Sequence, residues 1–196
     1  MTKNMTSETP AILLLLFAVP LIIGNIFQQF YSMADTMIVG RTLGVQALAA
    51  VGCTGSITFF ILGFVMGYTS GLSIITAQRF GAQDEEGVRK SFAASIVLAG
   101  ALGITVSLFA PLIAGPLLTL LQTPAEIKES AELYLKIIFA GTFSSVLFNL
   151  TSNTMRSLGD SRTPLYFLIG ACIINIFLDY FAFTKASVYI KYSLVF

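Results

Sequence analysis

Two acidic residues of this 196-residue chain stand inside long apolar stretches, where acids usually do chemistry. Asp35 follows Phe30-Tyr31-Ser32-Met33-Ala34, and Asp179 follows Asn175-Ile176-Phe177-Leu178. Ionising a carboxylate in apolar surroundings is costly, so a pair of such acids can hold a proton or a small cation such as Na⁺ near neutral pH. The other acidic residues lie in termini, connections or the ends of apolar stretches: Glu8, Asp84, Glu85, Glu86, Glu126, Glu129, Glu132 and Asp160.

Polar neighbours one helical turn away favour an ion site at these acids. Tyr31 precedes Asp35 by four residues and Asn175 precedes Asp179 by four, so each neighbour shares a helix face with its acid. Phenol and amide groups can hydrogen-bond a carboxylate or complete an oxygen shell around Na⁺. The alternative is that each Asp lies where its helix leaves the membrane and is solvated there.

Further polar residues interrupt two apolar stretches. They can supply oxygen ligands or substrate contacts, and they can equally form hydrogen bonds between packed helices. We predict a substrate cavity lined by Gln28, Gln29, Ser152 and Asn153, with Asn149 as a further oxygen ligand of the cation.

The elements that hold these residues are predicted to be membrane helices. The chain is 56% hydrophobic and 11% charged, with a mean hydropathy of +0.85. No charged residue lies between Arg41 and Arg79 or between Lys90 and Glu126, and each gap exceeds the roughly 20 residues that cross a bilayer as a helix. The stretches lack the alternation of a membrane barrel. We therefore expect an all-α, polytopic membrane helix bundle.

Five apolar stretches predict five spans, at about residues 11–39, 45–77, 91–121, 133–155 and 164–183. Pro20 interrupts the first and permits a bend there. Gly63, Gly67 and Gly71 recur at every fourth position of the second, a spacing typical of closely packed helices.

Basic residues near the span ends predict the orientation. Without the C-terminal tail, six lie on the side of the N-terminus and three on the other side, which predicts a cytoplasmic N-terminus. The first and fifth spans then run in the same direction. Asp35 and Asp179 would both lie in the outer half of the membrane.

Several other classes of function are disfavoured by composition. The net charge of +1 gives no reason to expect nucleic acid as a partner. The chain has no His, and Cys53 and Cys172 lie in apolar runs, so we expect neither a metal centre, a disulfide framework nor a cofactor. Residues 184–196 are predicted to be a divergent or fragmentary tail after a membrane lobe of residues 1–183.

Motifs along most of the chain resemble one family, the multidrug and toxic compound extrusion (MATE) transporters, and most closely their bacterial branch related to DNA-damage-inducible protein F. The resemblance extends from about residue 8 to 180, and its motifs are specific when found in this order. They read VPLI at 19–22, QQFYSMADTMIVGR at 28–41, LAAVG at 48–52, RSLGDSRTP at 156–164 and NIFLD at 175–179.

This resemblance implies an antiporter of the bacterial plasma membrane that expels organic, often cationic, compounds in exchange for H⁺ or Na⁺. It also implies twelve helices in two lobes, of which this chain covers five. The missing second lobe, membrane lipid and a small-molecule drug would be its partners. The family's cation site falls here on Asp35, Tyr31, Asn149, Asn175 and Asp179, with Pro20 where the first helix bends.

Three alternatives remain open at the level of sequence. In the first, the chain is a truncated product that does not transport alone. A flippase for lipid-linked sugars shares the broad fold, but basic residues would be expected along its cavity. An intramembrane aspartyl protease also uses two membrane aspartates, but its Tyr-Asp and Gly-x-Gly-Asp motifs are absent, and Ser157-Leu158-Gly159-Asp160 matches only in part.

Overall fold

The computed structural model describes the backbone of residues 10–42 and 44–193, and it omits the side chains of residues 10–14, 16, 17, 39, 42 and 179–193. Every regular element in the described part is an α-helix, so the predicted all-α membrane fold is confirmed. The helices are α1 (Pro10–Thr42), α2 (Gly44–Gly81), α3 (Glu85–Leu120), α4 (Ala125–Ala140), α5 (Thr142–Ser157) and α6 (Arg162–Ser193).

The connection between α2 and α3 is shorter than the gap between the predicted spans at residues 45–77 and 91–121. Asp84 caps α3, because its Oδ1 accepts the Gly87 N–H at 2.8 Å. Its Oδ2 pairs with Arg79 Nη1 at 3.3 Å. The acidic residues Glu85 and Glu86 in the first turn complement the positive end of the helix dipole. These contacts extend α3 toward the connection, so it begins before the predicted position 91.

The fourth predicted span, at residues 133–155, is not one continuous helix, so this prediction was wrong. Two helices occupy its place, α4 and α5, with a bend of 45° at Gly141. Within the described residues, α2 and α3 are each long and apolar enough to cross a membrane, and the bent α4–α5 pair passes the same test when it is taken as one span. Residues Arg162–Leu178 of α6 form a shorter apolar helix. A helix thus stands at each of the five predicted places, although fewer pass this length test.

The described chain divides into two compact units. The first, called here the α2–α5 unit, comprises residues 49–160. Its core has two clusters: one joins α2 and α3 to α4 around Phe139 and Leu135, and the other joins α2 and α3 to α5 around Val146 and Leu150. The two halves of the broken fourth span therefore pack on different parts of the core.

The second, called here the α1/α6 unit, comprises residues 10–48 and 161–193 of the described chain. Gly24 of α1 is buried against α6: a Cβ atom on it would lie 3.3 Å from Leu168 Cδ2 and 3.4 Å from Leu165 Cδ1. Pro20 lies within the continuous helix α1. The predicted boundary after residue 183 falls inside α6, and the assignment of residues 184–196 as a separate tail stays a prediction.

The glycine repeat of α2 does not mark a close contact in the described structure. Gly63, Gly67 and Gly71 are all exposed, and a Cβ atom on any of them would meet open space. The expectation that they pack against a neighbouring helix was therefore wrong for the described part of the chain.

Candidate cation site

Asp35 lies in the last third of α1 and is half-buried, as is Tyr31 one turn before it. The neighbouring hydroxyl of Thr36 donates to the Ser32 carbonyl at 2.8 Å and so is satisfied within its own helix. A phenol and a carboxylate on one face offer oxygen atoms that a proton or Na⁺ can use. The structure thus keeps the first predicted pair of site residues together.

The second pair lies on α6, in the same unit. Asn175 is exposed, and the Asp179 side chain lies outside the described residues, although its position in α6 is known. Counting from the Gly24–Leu168 contact, Tyr31 and Asn175 are each seven residues further along their helices. Asp35 and Asp179 are each eleven further. Seven and eleven residues are close to two and three helical turns, so these positions lie within about 20° of Gly24 and of Leu168 around the axes of their own helices.

The two glutamines of α1 belong to this unit as well. Gln28 and Gln29 are both exposed. In a membrane helix, exposed amides are costly against hydrocarbon and are expected to face water, a ligand or another protein segment. The exposure of Gln28 and Gln29 therefore fits the predicted role in a substrate cavity, which stays a prediction.

The remaining predicted site residues are on α5, in the α2–α5 unit. Asn149 is half-buried, and its Nδ2 donates to the Ser145 carbonyl at 2.8 Å. Ser152 is buried. Asn153 Nδ2 lies 3.4 Å from Thr69 Oγ1 of α2. Asn153 thus makes a hydrogen bond between two packed helices, which was the alternative to a ligand or substrate contact for the polar residues in this span.

One polar cluster was not found from sequence. Arg156 Nη1 lies 3.5 Å from Asn153 Oδ1, and its Nε is buried with no hydrogen-bond partner in the described structure. Asn153 thus contacts Arg156 on its own helix and Thr69 on α2. Thr69 precedes Asn153 by 84 residues, so no local signal predicts their contact. In the described residues, no group of three or more His, Cys, Asp or Glu side chains is arranged for a metal ion.

Comparison with known proteins agrees with the family resemblance. The MatE family model matches residues 20–181. The probable multidrug resistance protein YoeA of Bacillus subtilis is 32% identical over 180 residues, which are 89% of this chain and 39% of that protein. A probable multidrug resistance protein NorM of Thermotoga maritima is 28% identical over 85% of this chain and 36% of its own length.

Solved structures show the same relationship. A multidrug resistance MATE family transporter of the MOP superfamily, in an outward-facing conformation, superposes with a TM-score of 0.78 at 28% identity, over 85% of this chain and 37% of that one. A MOP superfamily transporter from Pyrococcus furiosus superposes with a TM-score of 0.80 at 26% identity, over 93% and 44% of the two chains. That transporter is described as having a binding pocket of reverse polarity, which suggests a different function for it.

The relatives differ in what they carry and are longer than this chain. A FAD transporter of Shewanella oneidensis is 27% identical over 85% of the chain. The chain spans about two fifths of the length of the curated relatives it matches. The family model nevertheless covers most of the chain, and the helices match those of solved transporters. The chain therefore belongs to the MatE family of membrane transporters.

Proposed function

We propose that this chain forms the cation-coupling part of a multidrug efflux antiporter, which exports organic cations in exchange for H⁺ or Na⁺. The antiporter would lie in the bacterial inner membrane with its N-terminus in the cytoplasm. Asp35, Asp179, Asn175 and Tyr31 would bind the coupling cation, with Asn149 as a further ligand. Gln28, Gln29, Ser152 and Asn153 would contact the drug.

The contact of Gly24 on α1 with Leu168 on α6 is the observation that supports this proposal. If α1, α2, α3 and the bent α4–α5 pair each cross the membrane once, α6 runs in the same direction as α1. Parallel helices that touch at Gly24 and Leu168 would then bring residues 31 and 175 to one level and residues 35 and 179 to the next. The two acids would lie about 16 Å beyond the contact, since each helix rises 1.5 Å per residue.

A pair of acids at one level supplies a simple coupling chemistry. While both are ionised, their mutual repulsion favours the binding of Na⁺ or of one proton. Neutralising them removes the negative charge that attracts an organic cation, so cation entry favours release of the drug. Pro20 cannot donate a backbone hydrogen bond, so α1 would bend there when the coupling cation binds.

Charge-neutral variants test this proposal. Because this chain spans about two fifths of its relatives, transport is measured in a chimera that replaces the matching part of Bacillus subtilis YoeA. Asp35→Asn and Asp179→Asn should each lower ethidium efflux from cells by roughly a hundredfold or more, as expected when an essential ionisable group is lost. Membrane insertion should stay unchanged.

The matched control is Glu86→Gln, because Glu86 is an exposed acid in the first turn of α3, where it pairs with Lys90. It should transport like the unmodified chimera. Efflux at the normal rate by both Asp variants would refute the proposal. Repeating the measurement in vesicles with a Na⁺ gradient or a proton gradient alone identifies the coupling ion.

A further inference from the structure

The break between α4 and α5 has a polar group to satisfy. A helix start leaves backbone N–H groups without partners, and the residue at the N-cap usually supplies a side-chain acceptor. Here the N-cap is Gly141, which has no side chain to offer. The Phe143 N–H instead donates to Ser107 Oγ of α3, at 2.9 Å. A neighbouring helix thus supplies the missing cap.

A glycine on α3 makes this approach possible. A Cβ atom on Gly103 would lie 3.0 Å from Phe143 Cδ2, 3.3 Å from Phe143 Cα and 3.4 Å from Val146 Cβ. Ser107 follows Gly103 by one turn, so the two residues share the face of α3 that holds the start of α5. The contact is with backbone as well as side chain, so it leaves little room for adjustment.

The glycine at the break itself is under no such restriction. Gly141 has φ −78°, which any residue adopts. A Cβ atom on it would lie 3.5 Å from the Ile138 carbonyl oxygen and 3.6 Å from that of Ile137, which are ordinary contacts. The bend is therefore held from α3 rather than permitted by the glycine at its apex.

We propose that Ser107 and Gly103 are positioning residues, which fix the direction of α5 and with it the side-chain oxygen that Asn149 offers to the coupling cation. This role rests on the proposed function. Asn149 lies about 10 Å beyond the break along α5. A change of roughly 15° in the direction of α5 would move it by about 2.5 Å, a whole cation–oxygen distance.

The structural half of this proposal is tested on the full chain in nanodiscs by hydrogen exchange. Ser107→Ala removes the acceptor, and the Phe143 amide should exchange roughly tenfold faster, as for a lost helix cap. Ser107→Cys keeps the volume with a weaker acceptor and should give a smaller increase. The matched control is Thr105→Ala, because the Thr105 hydroxyl on the same helix donates to the Ala101 carbonyl at 2.8 Å. It should leave Phe143 unchanged.

The two glycines give an independent comparison. Spin labels at the exposed positions 129 and 151, in a background with Cys53→Ser and Cys172→Ala, report the distance between α4 and α5. Gly103→Ala should shift that distance, and Gly141→Ala should not. An unchanged exchange rate in Ser107→Ala, or a bend that straightens only in Gly141→Ala, would overturn the proposal.

The functional half is measured in the YoeA chimera. Ser107→Ala should raise the apparent KM for the coupling cation roughly three- to tenfold, the effect of one hydrogen bond, with the maximal rate within about twofold. Combined with Asn149→Ala it should add nothing further, because both act on the same ligand. An additive effect, or a loss confined to the maximal rate, contradicts the role.

The cation site and the positioning role of Ser107 can be refuted separately. Normal transport by both Asp35→Asn and Asp179→Asn would remove the cation site, and with it any positioning of Asn149. Loss of transport in Asp35→Asn together with an unchanged KM in Ser107→Ala would leave the cation site standing and overturn only the positioning role.

Discussion

The buried polar side chains of the α2–α5 unit differ in kind from the candidate site residues of the α1/α6 unit. In the α2–α5 unit, the fully or nearly buried polar residues are hydroxyls, and most bond to a carbonyl of their own helix. Thr69 donates to the Val65 carbonyl at 3.0 Å and Thr154 to that of Leu150 at 2.8 Å. In the α1/α6 unit, the candidate residues are amides, a phenol and a carboxylate. The described ones are exposed or half-buried.

This difference follows from what each side chain can reach. A Ser or Thr hydroxyl in a helix can bond to the carbonyl three or four residues earlier and needs no outside partner. Such residues therefore fit a packed core between membrane helices. A carboxylate has no donor for a backbone carbonyl while it is ionised, and an exposed amide needs water, an ion or a ligand. In apolar helices a hydroxyl is thus more easily satisfied within a packed core than an ionised carboxylate is.

The largest effect expected from this comparison is on stability, in the core of the α2–α5 unit. Phe139 is fully buried in the cluster that joins α4 to α2 and α3. Phe139→Ala should lower the free energy of unfolding by about 3 kcal/mol, because it leaves a cavity among packed helices. The measurement is equilibrium unfolding in mixed detergent micelles.

Phe60 provides the control for that substitution, because it lies on α2 in the same unit and is 77% exposed. Phe60→Ala should change the unfolding free energy by less than about 0.5 kcal/mol. If both substitutions destabilise equally, the α2–α5 unit lacks the tight core that distinguishes it in this comparison.

The next effect is on transport, in the α1/α6 unit. Replacing Gln28 and Gln29 together by Leu keeps the size of the side chains and removes the exposed amides. Efflux by the YoeA chimera should fall about tenfold, equivalent to about 1.4 kcal/mol, with unfolding unchanged. Thr151→Val is the matched change in the other unit, since the exposed Thr151 hydroxyl donates to the Leu147 carbonyl at 2.9 Å. A loss of stability rather than efflux in the Gln variant would make these amides packing residues.

Much of the fold could be predicted from hydropathy, because a helix in lipid must be long, apolar and free of charge. A helix stands at every predicted place, and Asp35 with Tyr31 shares a face as their spacing required. The family, too, could be read from five short motifs, and the comparisons confirm it.

The break in the fourth span could not be predicted, because its cause is not local. Ala140, Gly141 and Thr142 are compatible with a continuous helix, and the group that caps the second half is Ser107, 36 residues from Phe143. The prediction that the glycine repeat of α2 packs against a neighbouring helix was wrong for a related reason. The spacing of the glycines indicates that a helix can approach closely, but not whether one does. The partner of Asn153 was likewise 84 residues away.

The smallest expected effect concerns the contact between Asn153 and Thr69, and it tests whether Asn153 is a packing residue. Thr69 Oγ1 and Asn153 Nδ2 lie 3.4 Å apart, and the Thr69 hydroxyl is already engaged with its own helix. Hydrogen bonds between membrane helices average about 0.6 kcal/mol in double-mutant cycles. A cycle of Thr69→Val and Asn153→Leu should therefore give a coupling near that value, with normal efflux by the single Thr69 variant. If Asn153→Leu abolishes efflux while the coupling is zero, Asn153 acts on the drug or cation, and the division between the two units does not hold at this residue.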